Sequence, residues 1–187
     1  MIVGHLGLAL GARAVDRDAP LPWLVAAAVA PDVLDLGLAA GGVCNVGGEY
    51  THSLAAIAIT ALVLGTAGGW ATRSGKTGLL VAALVVSHLL ADYVTGIKAL
   101  WIGGPMVGLD LYRWPWADFL IEAPIVVAAW WAARRRGDRP RWVASRFVLV
   151  ALLAGQLAAD VAMLGGDTEN RSVCAKADLV DQAQKLF

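Results

Sequence analysis

Charge is what this chain has least of. Only 16% of its 187 residues are charged, 58% are hydrophobic, and the mean hydropathy of +0.64 excludes an ordinary water-soluble domain. The 15 basic and 15 acidic residues balance to zero, so no overall basic surface is on offer to nucleic acid. No Gly-rich phosphate loop of the Walker or dinucleotide type is present either. Internal repeats and low-complexity tracts are absent. Histidine is rarer still, with His5, His52 and His88 making up the whole complement of 3.

What is present is a series of apolar runs of the length a membrane requires, about 20 residues per spanning helix. They predict spans at about 22–41, 51–71, 77–96, 115–133 and 143–164, with a shorter helix over about 2–14. The expected class is an all-α, polytopic transmembrane bundle of about five spanning helices plus that short N-terminal helix. Residues 1–164 form the helical domain in this reading and 165–187 a polar C-terminal tail, a candidate docking segment or free terminus. The opening residues MIVGHLGLALGARA imitate the apolar core of a signal peptide, but no basic residue precedes them, so they are expected to be retained together with His5.

Arg134, Arg135, Arg136, Arg139 and Arg141 lie between the last two spans, and positive residues favour the cytoplasmic side. Tracing the chain from there puts Arg13, Arg17, Arg73 and Lys76 inside. The loop 41–50, the segment 97–114 and the tail fall outside. Asp32, Asp35, Asp92, Asp118, Glu122 and Asp160 then sit within spans, at mid-depth or toward the outer end. Trp101, Trp114 and Trp116 mark one expected interface, and Trp130 and Trp131 the other. Gly65, Gly68 and Gly69 are read as close-packing positions. Cys44 and Cys174 share the outer side, where a disulfide is permitted.

An ionisable group near the middle of a membrane costs about 2.5–3.5 kcal/mol or more, so such groups face the bundle interior and have partners. His88 and Asp92, in SHLLAD, are four apart and share a helix face. Asp32 and Asp35, in PDVLD, are three apart and do the same. Pro31 removes one helical hydrogen bond just before Asp32, which predicts a kink and a cavity there. His52 begins its span and His5 reaches the same level if the first helix runs inward. The expected ligands of one metal site are therefore His5, Asp32, Asp35, His52, His88 and Asp92. Imidazole with carboxylate suits a divalent metal such as zinc, manganese or iron better than magnesium or calcium. Asp118 and Glu122, in WADFLIE, are an i,i+4 pair that could add ligands, orient others or act as a base. Asp160, one turn after Gln156, is read as a structural hydrogen-bonding partner. The same groups would also serve an ion or proton pathway or interhelical hydrogen bonding.

The order His5, Pro31-Asp32 with Asp35, Thr51-His52-Ser53 and His88-x-x-x-Asp92 resembles the YdjM/YbcI-type family of bacterial inner-membrane proteins, described as membrane-bound metal-dependent hydrolases. That resemblance covers about the first 96 residues. The succession is also loosely similar to the zinc-dependent phospholipase C fold, although no histidine follows His88, so a larger metal cluster would lean on Asp118 and Glu122. The family usually carries a basic residue shortly before Thr-His-Ser, where this chain reads GGEYTHS. The resemblance implies a multi-pass protein of the bacterial cytoplasmic membrane and a metal-dependent hydrolase, with zinc as the expected metal. A zinc-bound water would supply the nucleophile, and Asp35 or Glu122 the base. The expected substrate is a membrane lipid or lipid-linked phosphoester. The oligomeric state, including a homo-oligomer, stays open. A small transporter using the His/Asp cluster and a non-catalytic membrane subunit are the rival readings.

Overall fold

The computed structural model describes residues 2–135, 145–163 and 174. The remaining residues of the arginine run, the tail and the 164/165 boundary lie outside the described residues. Six α-helices account for most of what is described: α1 (Ile2–Val15), α2 (Leu21–Ala40), α3 (Leu54–Thr72), α4 (Gly75–Thr95), α5 (Pro115–Arg135) and α6 (Arg146–Met163). Among the described residues, α2, α3, α4 and most of α5 are long and apolar enough to cross a membrane, and α1 is a shorter apolar helix. The expected fifth span corresponds to the 18-residue α6.

Helix ends fall where the local chemistry stops them. Ser53 and Ser74 cap α3 and α4, each hydroxyl accepting the backbone N–H three residues on. The capping moves the start of α3 from about 51 to Leu54, so His52, expected to begin the span, lies in the turn just before it. Arg73 closes α3 in the left-handed conformation. Pro31 stands within α2, which continues through it as one helix. Three residues before Pro31, the Ala28 carbonyl accepts from the His88 imidazole of α4 at 2.7 Å, which ties the two helices together here.

Packing is closest where side chains are smallest. A Cβ on Gly78 would stand 2.6 Å from the Gly65 carbonyl oxygen and 3.0 Å from the Gly69 Cα, so α3 and α4 meet backbone to backbone. Gly7 of α1 lies against Val126 of α5, and Gly11 against Ala129. The hydrogen bond from Gly4 N–H to Glu122 continues the same register. These pairs make α1 and α5 parallel. The buried core gathers around Ala9, Leu24, Ala27, Ala28, Val81, Val85 and Leu89, whereas Leu36, Leu62, Leu79, Leu120 and Phe147 point outward, as lipid-facing residues do.

Basic residues collect at one end of this bundle. Lys76 lies 3.5 Å from Asp16, and Arg13 donates to the Ala19 carbonyl. The parallel run of α1 and α5 brings Arg134 and Arg135 to that end, where they sit over the rings of Trp130 and Trp131. At the opposite end the segment after α4 folds into a two-stranded antiparallel hairpin, β1 (Lys98–Ala99) and β2 (Met106–Val107). The sequence marked only a polar break there. Its turn uses Gly103 at φ +68°, a conformation glycine adopts without steric cost.

Candidate metal centre

The hairpin end of the bundle holds a compact set of buried donors. Asp32 of α2, His52 of the turn before α3, and His88 and Asp92 of α4 each offer one ligand atom, all within 4.8 Å of one another. His52 Nε2 lies 3.2 Å from His88 Nε2, 3.4 Å from Asp32 Oδ1 and 3.2 Å from Asp92 Oδ2. His88 Nε2 is 3.5 Å from both Asp32 Oδ1 and Asp92 Oδ2. A tetrahedral zinc with N and O ligands at roughly 2.0–2.1 Å would separate its corners by roughly 3.3–3.4 Å. Five of the six donor separations are thus close to those of such a tetrahedron, and the sixth, between Asp32 and Asp92, is within 4.8 Å, so the group could hold a metal ion.

Each imidazole is oriented from behind. The Nδ1–H of His88 donates to the Ala28 carbonyl, which leaves its Nε2 lone pair facing the site. His52 Nδ1 is 2.8 Å from the Thr51 hydroxyl. That hydroxyl accepts from the Asn45 amide at 3.0 Å, and the same amide bonds Asp35 at 2.5 Å. Two imidazole nitrogens facing each other, each with its other nitrogen engaged, suit a shared cation better than a single hydrogen bond.

His52 reaches this position because the chain doubles back at Gly48. Its φ is +72°, and a Cβ there would stand 2.8 Å from His52 Nδ1. The glycines before Tyr50 thus do more than separate spans; Gly48 is the place where only glycine fits. The sequence reading missed it.

His5 and Asp35, expected among the ligands, stand one step back. His5 is fully buried and stacks on His88 with ring centroids 3.7 Å apart. Its Nε2 bonds Asp92 Oδ1 at 3.2 Å, leaving Asp92 Oδ2 for the site. Asp35 is not in the donor group. A three-residue step on an α-helix leaves roughly 60° between side chains, and Asn45 takes Asp35 while Asp32 turns to the histidines.

Lys98 was also missed. Its ammonium lies 3.3 Å from Asp92 Oδ2, carried there by β1. The signal was available: a lone lysine six residues after Asp92, in the segment that the arginine run predicts to lie outside, where basic residues are disfavoured.

Asp118 and Glu122 of α5 do not join these donors. They meet Asp160 of α6 in a second buried group. The Gln156 amide donates to Asp160 at 2.5 Å, the partnership expected of Asp160, but its place beside Asp118 and Glu122 was not foreseen. Cys44, adjacent to Asn45, is joined by a disulfide to Cys174.

No curated protein and no solved structure matches this chain. A family model does, that of the YdjM inner membrane protein, over residues 1–163. The match runs through α6, well past the first 96 residues on which the resemblance rested. With its apolar helices and buried His/Asp group, the chain is a multi-pass membrane protein that belongs to the YdjM inner membrane protein family.

Proposed function

We propose that this protein is a membrane-embedded, metal-dependent hydrolase that cleaves a lipid or lipid-linked phosphoester, with zinc held by Asp32, His52, His88 and Asp92. The observation that carries the reading is the donor set itself: two imidazoles and two carboxylates at 3.2–3.5 Å spacing, with the far nitrogen of each imidazole already engaged. When bound, such a metal supplies Lewis acidity and lowers the pKa of a coordinated water toward 7.

The chain's own residues do the remaining work. His5 and Lys98 hold the two oxygens of Asp92 in place. Asp35 acts through Asn45 and Thr51 on His52, as a positioning residue. Asp32 is the least buried member, 32% accessible against 3% or less for the others, and is the donor nearest the outside. Two carboxylates, one ammonium and a divalent cation leave one net positive charge, which favours an anionic phosphoester over a neutral ester. Positive residues at the far end of the bundle and the Cys44–Cys174 disulfide support a site, and a C-terminus, on the extracytoplasmic side.

Metal analysis of purified protein tests this reading, followed by release of a water-soluble headgroup from labelled phospholipid. One zinc per chain and headgroup release are expected. Flux into sealed vesicles without product would transfer the site to a transporter, and a native protein without metal would end the proposal.

A further inference from the structure

Lys98 has more donors than its partner uses. Its ammonium lies 3.3 Å from Asp92 Oδ2, with 20% of the side chain exposed. That oxygen is the one facing the other two histidines, 3.2 Å from His52 Nε2 and 3.5 Å from His88 Nε2, whereas His5 takes Oδ1. Lys98 thus stands on the site's side of the carboxylate and not behind it. With all three histidines already around Asp92, a lysine is not needed to satisfy its oxygens. An ammonium carries three N–H donors, and among the described residues only Asp92 engages this one. Two donors are left, on a side chain that keeps contact with the outside.

The lysine is delivered by a hairpin fastened on three sides. β1 pairs Lys98 with Val107 of β2. The Leu100 carbonyl accepts the Leu54 N–H at 3.1 Å, two residues past His52, and the Leu109 N–H donates to the Tyr93 carbonyl at 2.9 Å, one residue past Asp92. At the turn, the Gly103 N–H donates to the Glu49 carboxylate at 2.9 Å. Gly108 lets the chain leaving β2 pass the end of α4, since a Cβ there would strike the Gly96 carbonyl. The backbone carrying Lys98 is therefore tied to the His52 turn and to α4. Arg113, the other basic residue of the segment 97–114, is 77% exposed and pairs with Asp110 instead.

We propose that Lys98 is the anion anchor of this site, its ammonium binding a nonbridging oxygen of a phosphoryl group seated at the donor cluster. The inference rests on the metal-dependent hydrolase reading and deepens it, by naming the residue that selects a phosphoester over a carboxylic ester. Charge-assisted hydrogen bonds to phosphate oxygens are short and strong, and lysine makes them as a point charge. A brace for Asp92 would need neither the remaining donors nor the exposure.

Inorganic phosphate is the probe, titrated into the full-length, zinc-loaded protein and read by isothermal calorimetry. Lys98→Met is expected to weaken phosphate at least about tenfold with one zinc per chain retained, and Lys98→Arg to stay within about threefold of the parent. In turnover, Lys98→Met should raise KM for dihexanoyl phosphatidylglycerol about tenfold and leave kcat/KM for 4-nitrophenyl butyrate, which has no phosphate, unchanged. Displacement of phosphate by dihexanoyl phosphatidylglycerol is expected and assigns the anchor to a lipid headgroup. Phosphate that this lipid cannot displace would keep the anchor and assign it to a soluble phosphate.

Equal phosphate affinity in parent and Lys98→Met would overturn the anchor. So would loss of zinc from both Lys98→Met and Lys98→Gln, the second of which keeps a donor for Asp92 without the charge; Lys98 would then be a brace. Phosphate bound through Lys98 by a parent that cleaves no phosphoester would keep the anchor and remove the hydrolase.

Discussion

Two polar clusters lie buried in this bundle, and they differ in what stands behind them. In the His/Asp cluster three of the four donors are held from behind: His88 by the Ala28 carbonyl, His52 by the Thr51–Asn45–Asp35 relay, and Asp92 by His5 at Oδ1. In the Asp118–Glu122–Asp160 cluster the bracing is thinner. Glu122 accepts from Gly4 N–H and Asp160 from Gln156, while both oxygens of Asp118 lack a hydrogen-bond partner among the described residues. Acidic residues on neighbouring helices suffice to make a buried cluster; a preorganised ligand set also needs a second layer that fixes orientation before anything binds. The proposed metal is accordingly placed in the first cluster.

The largest effect should come from the donors themselves. His88→Ala removes one of the four ligands and also frees the Ala28 carbonyl, so stoichiometric zinc should disappear from the purified protein. Retention of a full zinc by this variant would place the metal elsewhere. Gly48→Ala comes next. Its Cβ would meet the His52 ring at 2.8 Å, at a backbone φ of +72° that alanine adopts only under strain. The expected result is a loss of zinc affinity of about 100-fold, read by competition with a chelator, although no ligand has been changed.

These two variants also show how legible the chain was. The spans were readable because lipid imposes a length and an apolar content that any run of about 20 residues displays. His88 and Asp92 were readable because a four-residue step on a helix keeps two side chains on one face. Loops have no such periodicity. Thus His52 was placed at the start of its span and lies in the turn just before it, since Ser53 caps α3, while Gly48 and Lys98 went unseen. The division of Asp32 from Asp35 depends on Asn45, a loop residue whose partner is set by tertiary contact. Asp160 could not be matched with Asp118 and Glu122, because nothing in the chain states which faces of α5 and α6 meet.

A smaller effect tests the relay behind His52. Thr51→Val removes the hydroxyl that bonds both His52 Nδ1 and the Asn45 amide, while keeping the side-chain shape. Zinc affinity should fall about 10- to 100-fold with stoichiometry preserved, the usual cost of losing such a partner. Asp35→Asn should weaken binding in the same direction but less, since it lies two hydrogen bonds further from the imidazole. A larger loss in Asp35→Asn than in His88→Ala would make Asp35 a ligand and dissolve the distinction between donors and relay.

Weaker still is the brace at Cys44. The disulfide to Cys174 precedes Asn45, so Cys44→Ser loosens the loop without touching a donor. Zinc affinity is expected to change by no more than about threefold, an energy difference near 0.6 kcal/mol. The midpoint of thermal unfolding should fall, because cross-links stabilise partly by restricting the unfolded chain. A disulfide that shaped the site directly would instead give a loss comparable with Thr51→Val.

The sharpest test of the comparison is an effect of zero. Asp118→Asn with Glu122→Gln neutralises two of the three carboxyl groups of the second cluster and keeps an oxygen able to accept from Gly4 N–H. If that cluster holds no zinc, the double variant carries as much zinc per chain as the parent. Its unfolding midpoint should equal or exceed the parent's, since three carboxyl groups buried side by side are costly and neutral amides less so. A fall from two zinc ions to one would instead make the two clusters parts of one larger centre, with α1 between them as its shared wall.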